Sequence, residues 1–306
     1  MNPGTVPGFG PGVIQQGGFP RQAVISSSMT WTAPYTGRYL VIAIGGGGGG
    51  SGSGNVAASH SGGGAGGICF KSVYLGAGAQ LTVTIGAGGT GGNYAAGNAG
   101  GSTYVYGPNL NLVANGGSGG NRNVGAGSSG GAGGNATGGD NNYSGGRGGN
   151  SNSPSGQTGG GAVAFYGIAY NGGNTNASST ATGGGGIGGH GGTCNSTTTV
   201  SVGGTAAFGG QVGAENFDAN PGASLLGTSG FGNGRTGFNG AFSSAANVPY
   251  SVMGGGPGIL FTGSGAGEVI SRSYMGGGGG SGAIPSGNVT GGTGGDGVVI
   301  ISWMQS

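Results

Sequence analysis

The chain has 306 residues, and 93 of them are glycine, about 30% where an average protein has roughly 7%. Seven basic and five acidic side chains leave a net charge of +2, and only 33% of residues are hydrophobic, too thin a supply for a conventional globular enzyme core. Eleven prolines are too few for collagen, and residues 45–50 are unbroken glycine, so no strict Gly-X-Y period governs the chain.

Residues 1–27 form a lead punctuated by Pro3, Pro7, Pro11 and Pro20, with Phe9, Val13, Ile14 and Phe19 between them. Proline and glycine forbid a helix there. The segment reads as extended, and those four apolar residues are candidates for attachment to another protein. It has neither a basic n-region nor a continuous apolar stretch, so no secretory signal is expected.

Strand signals follow. Residues 29–33 predict a short strand stopped by Pro34. Residues 38–44 predict a strand buried on both faces, and residues 68–75 another. Residues 80–85 alternate, placing Leu81, Val83 and Ile85 on one face. Residues 102–106 and 110–114 add two more. A last strand, residues 297–303, has no partner nearby in sequence and is expected to return to the N-terminal strands. The expected organisation is an attachment segment over 1–27, a β module over 28–115 plus 296–306, and a glycine-rich bundle over 116–295. In that bundle glycine blocks alternate with polar and aromatic stretches. No fixed repeat length is visible, and the alternation itself is the repeat.

Ordering glycine costs more entropy than ordering any other residue, about 1–2 kcal/mol per residue for the backbone alone. Ordered glycine blocks must therefore satisfy one another's backbones densely. The three-residue-per-turn extended helix does this, because its N–H and C=O groups point outward to neighbours. The expected fold class is mainly β and extended, with essentially no α-helix. It combines a small β module closed by the C-terminal strand with a sandwich of polyglycine II-type helices. Connecting loops would emerge at the bundle ends, where a scaffold displays binding residues. The candidate receptor-binding residues are the aromatics of those stretches: Tyr143, Phe165, Tyr166, Tyr170, Phe217, Phe231, Phe238, Phe242, Tyr250, Phe261 and Tyr274. Whether each ring meets a partner or caps the bundle as a small core is open.

Other chemistry is not supported. Lys71 and six scattered arginines form no basic patch for nucleic acid. No apolar run approaches the ~20 residues of a spanning helix, so membrane insertion is not expected. Cys69 and Cys194 belong to no metal-type pair, and His60 and His190 join no ligand cluster. No cofactor, no metal and no catalytic residue is expected. Asp296, between glycines ahead of the last strand, reads as a turn residue.

Some runs are family-like: Trp-Thr-Ala-Pro at 31–34, Tyr-Leu-Val-Ile-Ala-Ile followed by six glycines at 39–50, Gly-Gly-Gly-Ala-Gly-Gly at 62–67, Leu-Thr-Val-Thr-Ile-Gly-Ala-Gly-Gly at 81–89, and the closing 294–303. They resemble the glycine-rich domain of bacteriophage tail-fibre and tail-tip proteins. The middle of the chain is similar in style to receptor-binding adhesins of T-even-like long tail fibres. The resemblance implies a virion protein, assembled in the host cytoplasm. It would bind a tail or fibre protein at one end and a bacterial outer-surface protein or glycan through variable loops. It also implies a non-enzymatic role. The alternative is a structural tail component, such as a fibre connector or decoration, without receptor contact.

Overall fold

The computed structural model describes residues 19–53, 58–124, 127–152, 156–164, 168–175, 185, 238–240, 251–252, 259–261, 273–283 and 289–305. Among these there is no α-helix. The strands are β1 (Phe19–Ile25), β2 (Met29–Thr32), β3 (Gly37–Ile44), β4 (Gly52–Ser53), β5 (Ala58–His60), β6 (Ile68–Leu75), β7 (Gln80–Thr84), β8 (Thr103–Gly107), β9 (Leu110–Ala114), β10 (Arg122–Val124), β11 (Ala136–Thr137), β12 (Asn141–Tyr143), β13 (Phe238–Gly240), β14 (Ser251–Val252), β15 (Ile259–Phe261), β16 (Ser273–Tyr274), β17 (Gly282–Ala283) and β18 (Val298–Gln305).

Two five-stranded sheets make a sandwich, ordered β1-β18-β3-β6-β12 and β11-β9-β8-β7-β2. The alternating apolar residues of each strand meet between them. Tyr39, Val41, Ala43, Val73, Leu75, Val299 and Ile301 of the first sheet pack on Trp31, Leu81, Val83, Val105 and Leu112 of the second. The last strand does return: β18 lies antiparallel between β1 and β3, with Ile301 opposite Val41 and Trp303 opposite Tyr39. Trp31, Tyr39 and Trp303 form a ring cluster with centroids 5.6–5.8 Å apart. One expectation is corrected. β3 is buried on one face only until it nears the bundle, since Arg38 and Leu40 are exposed. A sandwich has a single inner face, so an apolar run need not be covered twice. Within residues 1–27, the segment read as extended, Phe19–Ile25 forms the regular strand β1.

The sandwich passes directly into the glycine lattice. Residues 45, 46 and 47 donate their backbone N–H groups to the carbonyls of 67, 101 and 295. Residues 48, 49 and 50 donate to 64, 98 and 292. Each successive residue addresses a different neighbour, and the same neighbour returns three residues later. That is the signature of a helix with three residues per turn. The carbonyls of 46–50 accept in turn from 117, 89, 279, 120 and 92. Segment 45–50 therefore sits inside a ring of six: 62–67, 116–120, 97–101, 86–92, 291–295 and 276–280. Adjacent members of the ring also bond one another, as in Gly64 to Ser118, Gly100 to Gly117, Gly101 to Ala87, Gly294 to Gly89, Gly295 to Gly277 and Gly63 to Gly279. Segment 62–67 is surrounded in the same way, with 130–134, 145–149 and 159–163 completing its ring.

This lattice explains the glycines. Among the described glycines only Gly78, Gly127, Gly138 and Gly276 take a left-handed φ. Elsewhere glycine is needed for its missing Cβ: a methyl on Gly48 would run into the Ser118 carbonyl, and one on Gly63 into the Gly48 carbonyl. Outer segments have one position in three facing water, and that position carries a side chain. Ala87, Thr90 and Asn93 are exposed in one segment, and Ser129, Ala132 and Asn135 in another. A three-residue repeat is thus present inside the blocks, correcting the view that only the alternation repeats. It is masked because surrounded segments lack the marker residue altogether.

Candidate functional site

Each described glycine segment of the two rings runs between the sandwich and an opposite end, where residues 51–53, 58–61, 92–97, 120–124, 127–130, 150–152, 156–157, 281–283 and 289–291 gather together. Six residues at about 3.1 Å each put this end roughly 20 Å from the sandwich. Backbone groups there lose part of their ring of neighbours, and small hydroxyl side chains replace it without widening the lattice. Ser61 N–H donates to Ser51 Oγ at 2.9 Å, and Ser61 Oγ to the Ser128 carbonyl at 2.9 Å. Gly62 N–H donates to Thr158 Oγ1 at 3.0 Å, while Thr158 N–H donates to Ser281 Oγ at 2.8 Å. Ser51, His60, Ser61, Ser128, Gln157, Thr158 and Ser281 are all buried. This collar fixes the bases of the turns.

Above the collar one backbone ladder crosses the end. Ala95 bridges Gly52, Gly52 pairs with Gly282, Gly282 with Ile259, and Ile259 with Phe238. The strands β13, β15, β17 and β4 are parallel. Phe238 and Phe261, expected as receptor-binding candidates, thus fall on adjacent strands at this end. At the opposite edge of the ladder, beyond β17 and β4, the turn at 93–95 presents Tyr94, 46% exposed and at φ +50°, a conformation rare for a bulky residue. On the β5–β10 ribbon Val124 is 70% exposed.

The other candidates lie elsewhere. Tyr143 is half-buried on β12 at the sandwich end, its ring 5.9 Å from Phe70, packed against the cluster of Ile44, Ile68 and Val163. Tyr170 is also half-buried near that end, its carbonyl accepting from Ala162 N–H. Tyr274 closes β16 beside Val252, just ahead of Gly276, which abuts Ile44. Phe165, Tyr166, Phe217, Phe231, Phe242 and Tyr250 lie outside the described residues, as do Phe9, Val13 and Ile14. Phe19 is the first residue of β1. Tyr94 and Val124 were not singled out in the sequence, because isolated exposed residues in polar turns carry no periodic signal. The collar had one: hydroxyl residues flank glycine blocks directly, as at Ser51, Ser61, Thr158 and Ser281.

Two charged groups are accounted for by backbone. Asp296 accepts from Gly88 N–H at 2.7 Å, a contact across the lattice in place of the local turn the sequence suggested, and Asp140 accepts from Ser72 N–H at 2.9 Å. Burial pushes the Cys69 thiol up to about 11. Among the described residues no cluster of three or more His, Cys, Asp or Glu is placed to hold a metal.

Residues 23–304, from within β1 to within β18, match the glycine-rich domain family. The chain belongs to that family. No curated protein matches it. As a glycine-rich domain protein it keeps chemistry-bearing side chains sparse and spends its sequence on a backbone lattice with turns gathered at one end.

Proposed function

We propose that this glycine-rich domain protein is a non-enzymatic adhesin of a bacteriophage tail or fibre tip, binding a bacterial surface protein or glycan. The observation that supports this most is the polarity of the molecule. The turn bearing Tyr94 and the strands β13 and β15, which carry Phe238 and Phe261, lie at one end of a close-packed bundle, while β1 and β18 lie side by side at the other. The sandwich end, entered through Phe19 and preceded by Phe9, Val13 and Ile14, would serve attachment to a tail or fibre protein. Aromatic side chains on fixed backbones lose little entropy on binding and dominate interface energies.

Binding of the labelled full chain to susceptible bacterial cells tests the reading. Phe238→Ala with Phe261→Ala is expected to weaken binding at least tenfold, about 1.4 kcal/mol, at unchanged melting temperature. Virion incorporation with no cell binding by the parent chain would favour the structural-component alternative. A fall in melting temperature with unaltered binding per folded molecule would make these rings core.

A further inference from the structure

The two sheets of the sandwich present unlike outer faces. On the second sheet one register row reads Thr30, Thr82, Tyr106, Asn111, and the next Thr84, Tyr104, Val113, Thr137. That composition suits water on the open side of an antiparallel sheet. On the first sheet the corresponding row is Val24, Ile300, Ile42 and Phe70, ending at Asn141. The next row holds Leu40 between Ser302 and Ser72. Beyond it lie Met304 and the pair Arg38–Tyr74. Val24, Leu40, Tyr74 and Met304 are exposed, and Ile42, Ile300 and Phe70 are half-buried. The row nearest the bundle, Val298, Ile44 and Ile68, is already covered by Val163 and Ala164. An apolar strip thus runs from a core cluster out into the open, as interaction surfaces do.

We propose that this outer face is covered by the chain's own residues 1–18. Three observations carry the assignment. The first is position: residues 1–18 lead directly into β1, the edge strand of this same sheet, and Phe19 and Pro20 pair with Gln305 and Met304 at the corner of the face. The second is reach: crossing from β1 to β6 takes about 15 Å at the usual strand spacing, and eighteen extended residues span up to about 60 Å. The third is chemistry: the segment holds Val6, Phe9, Val13 and Ile14 and no charged side chain, and its prolines and glycines keep it from spending those residues on a helix of its own. Arg38 is the charged side chain in the rows of the face, at the far end from the apolar row, and the Asp140 carboxylate stands at the β6 edge on Ser72 N–H. A second copy stacked here would have to displace both segments, each tethered at the corner of the surface it covers. The inference concerns the unassembled chain and holds whether or not the chain is an adhesin.

The test uses the full chain. A photo-crosslinking residue placed at Leu40, in an equal mixture of isotopically light and heavy copies, is expected to link within one copy to residues 6–14. Links between copies, or none to residues 1–18, would overturn the proposal. Independently, Phe9→Asp with Ile14→Asp alters no residue of the sandwich. It should raise hydroxyl-radical labelling of Tyr74 and Met304 by roughly threefold as their cover is lost. Unchanged labelling would equally overturn it.

Discussion

Asn171 and Asn174 show how single side chains complete a lattice made of backbone. At the edge of the bundle the N–H groups of Arg147 and Asn150 point where a further segment would offer carbonyls. The amide oxygens of Asn171 and Asn174 stand there instead, at 2.9 and 2.7 Å. Their three-residue spacing copies the helix they border. Ser281 does the same where water cannot reach, accepting from Thr158 N–H, so the buried donor is not left unpaired. Cys69 illustrates the opposite case, a titratable group whose burial outweighs the one backbone contact, with Val113, that opposes the shift. Burial holds its thiol neutral, with a pKa of about 11 against an ordinary 9.0. The folded state therefore keeps a proton that the unfolded state loses first. Its contribution to stability is fully present below about pH 9 and is lost as pH rises toward about 11. Native protein at pH 8 is expected to leave Cys69 unalkylated, and Cys69→Ala to lose less stability than the parent between pH 9 and 11. Rapid labelling of Cys69 in folded protein, or parallel pH profiles, would contradict this.

At the scale of elements, the glycine segments stand or fall on close approach. A side chain on Gly278 would strike the carbonyl of Gly63, whereas a methyl on Gly76, in the turn after β6, meets nothing within 4 Å. Gly278→Val should cost at least several kcal/mol or abolish folding, because the obstacle is backbone and cannot move aside. Gly76→Ala should stay within about 0.5 kcal/mol of the parent. Equal melting temperatures for the two variants would refute the close-packed lattice. The long strands were legible beforehand because Leu81, Val83 and Ile85, or the run through Ile44, carry apolar periodicity. The short pieces β4, β10 and β13 to β17 were not, since two or three residues hold no period. The lattice itself was legible in kind but not in register. Residues such as Thr90 and Ser118, spaced by two glycines, mark the water-facing position of outer segments, and segment 45–50 carries no such mark because it has no outside. The candidate site was legible only as composition. Nothing in the sequence distinguishes Tyr143, which packs beside Phe70 at the sandwich, from Phe238 and Phe261, whose strands lie at the far end.

At the scale of the whole molecule, the last strand ties the two halves of the architecture together. Gly297 N–H bonds to the Gly86 carbonyl within the lattice, and β18 then inserts between β1 and β3. Val299 and Ile301 are fully buried against the second sheet, and Trp303 joins Trp31 and Tyr39 in one ring cluster. Removing residues 297–306 would leave β1 with no neighbour, turn β3 into an edge strand, and open the core beside Val41 and Leu81. Non-local pairings of this kind carry no local compensation: the nearest strand in sequence that could replace β18 is already paired elsewhere. Amide exchange in residues 19–25 and 39–44 is therefore expected to rise toward that of an unfolded chain after the deletion, although the lost residues lie more than 200 positions away along the sequence. Glycine segments farthest from Gly297 in the lattice, such as 145–149, should lose protection less, since their ring of neighbours is untouched. Preserved exchange protection over residues 39–44 in the truncated chain would show that the sandwich closes without its C-terminal strand.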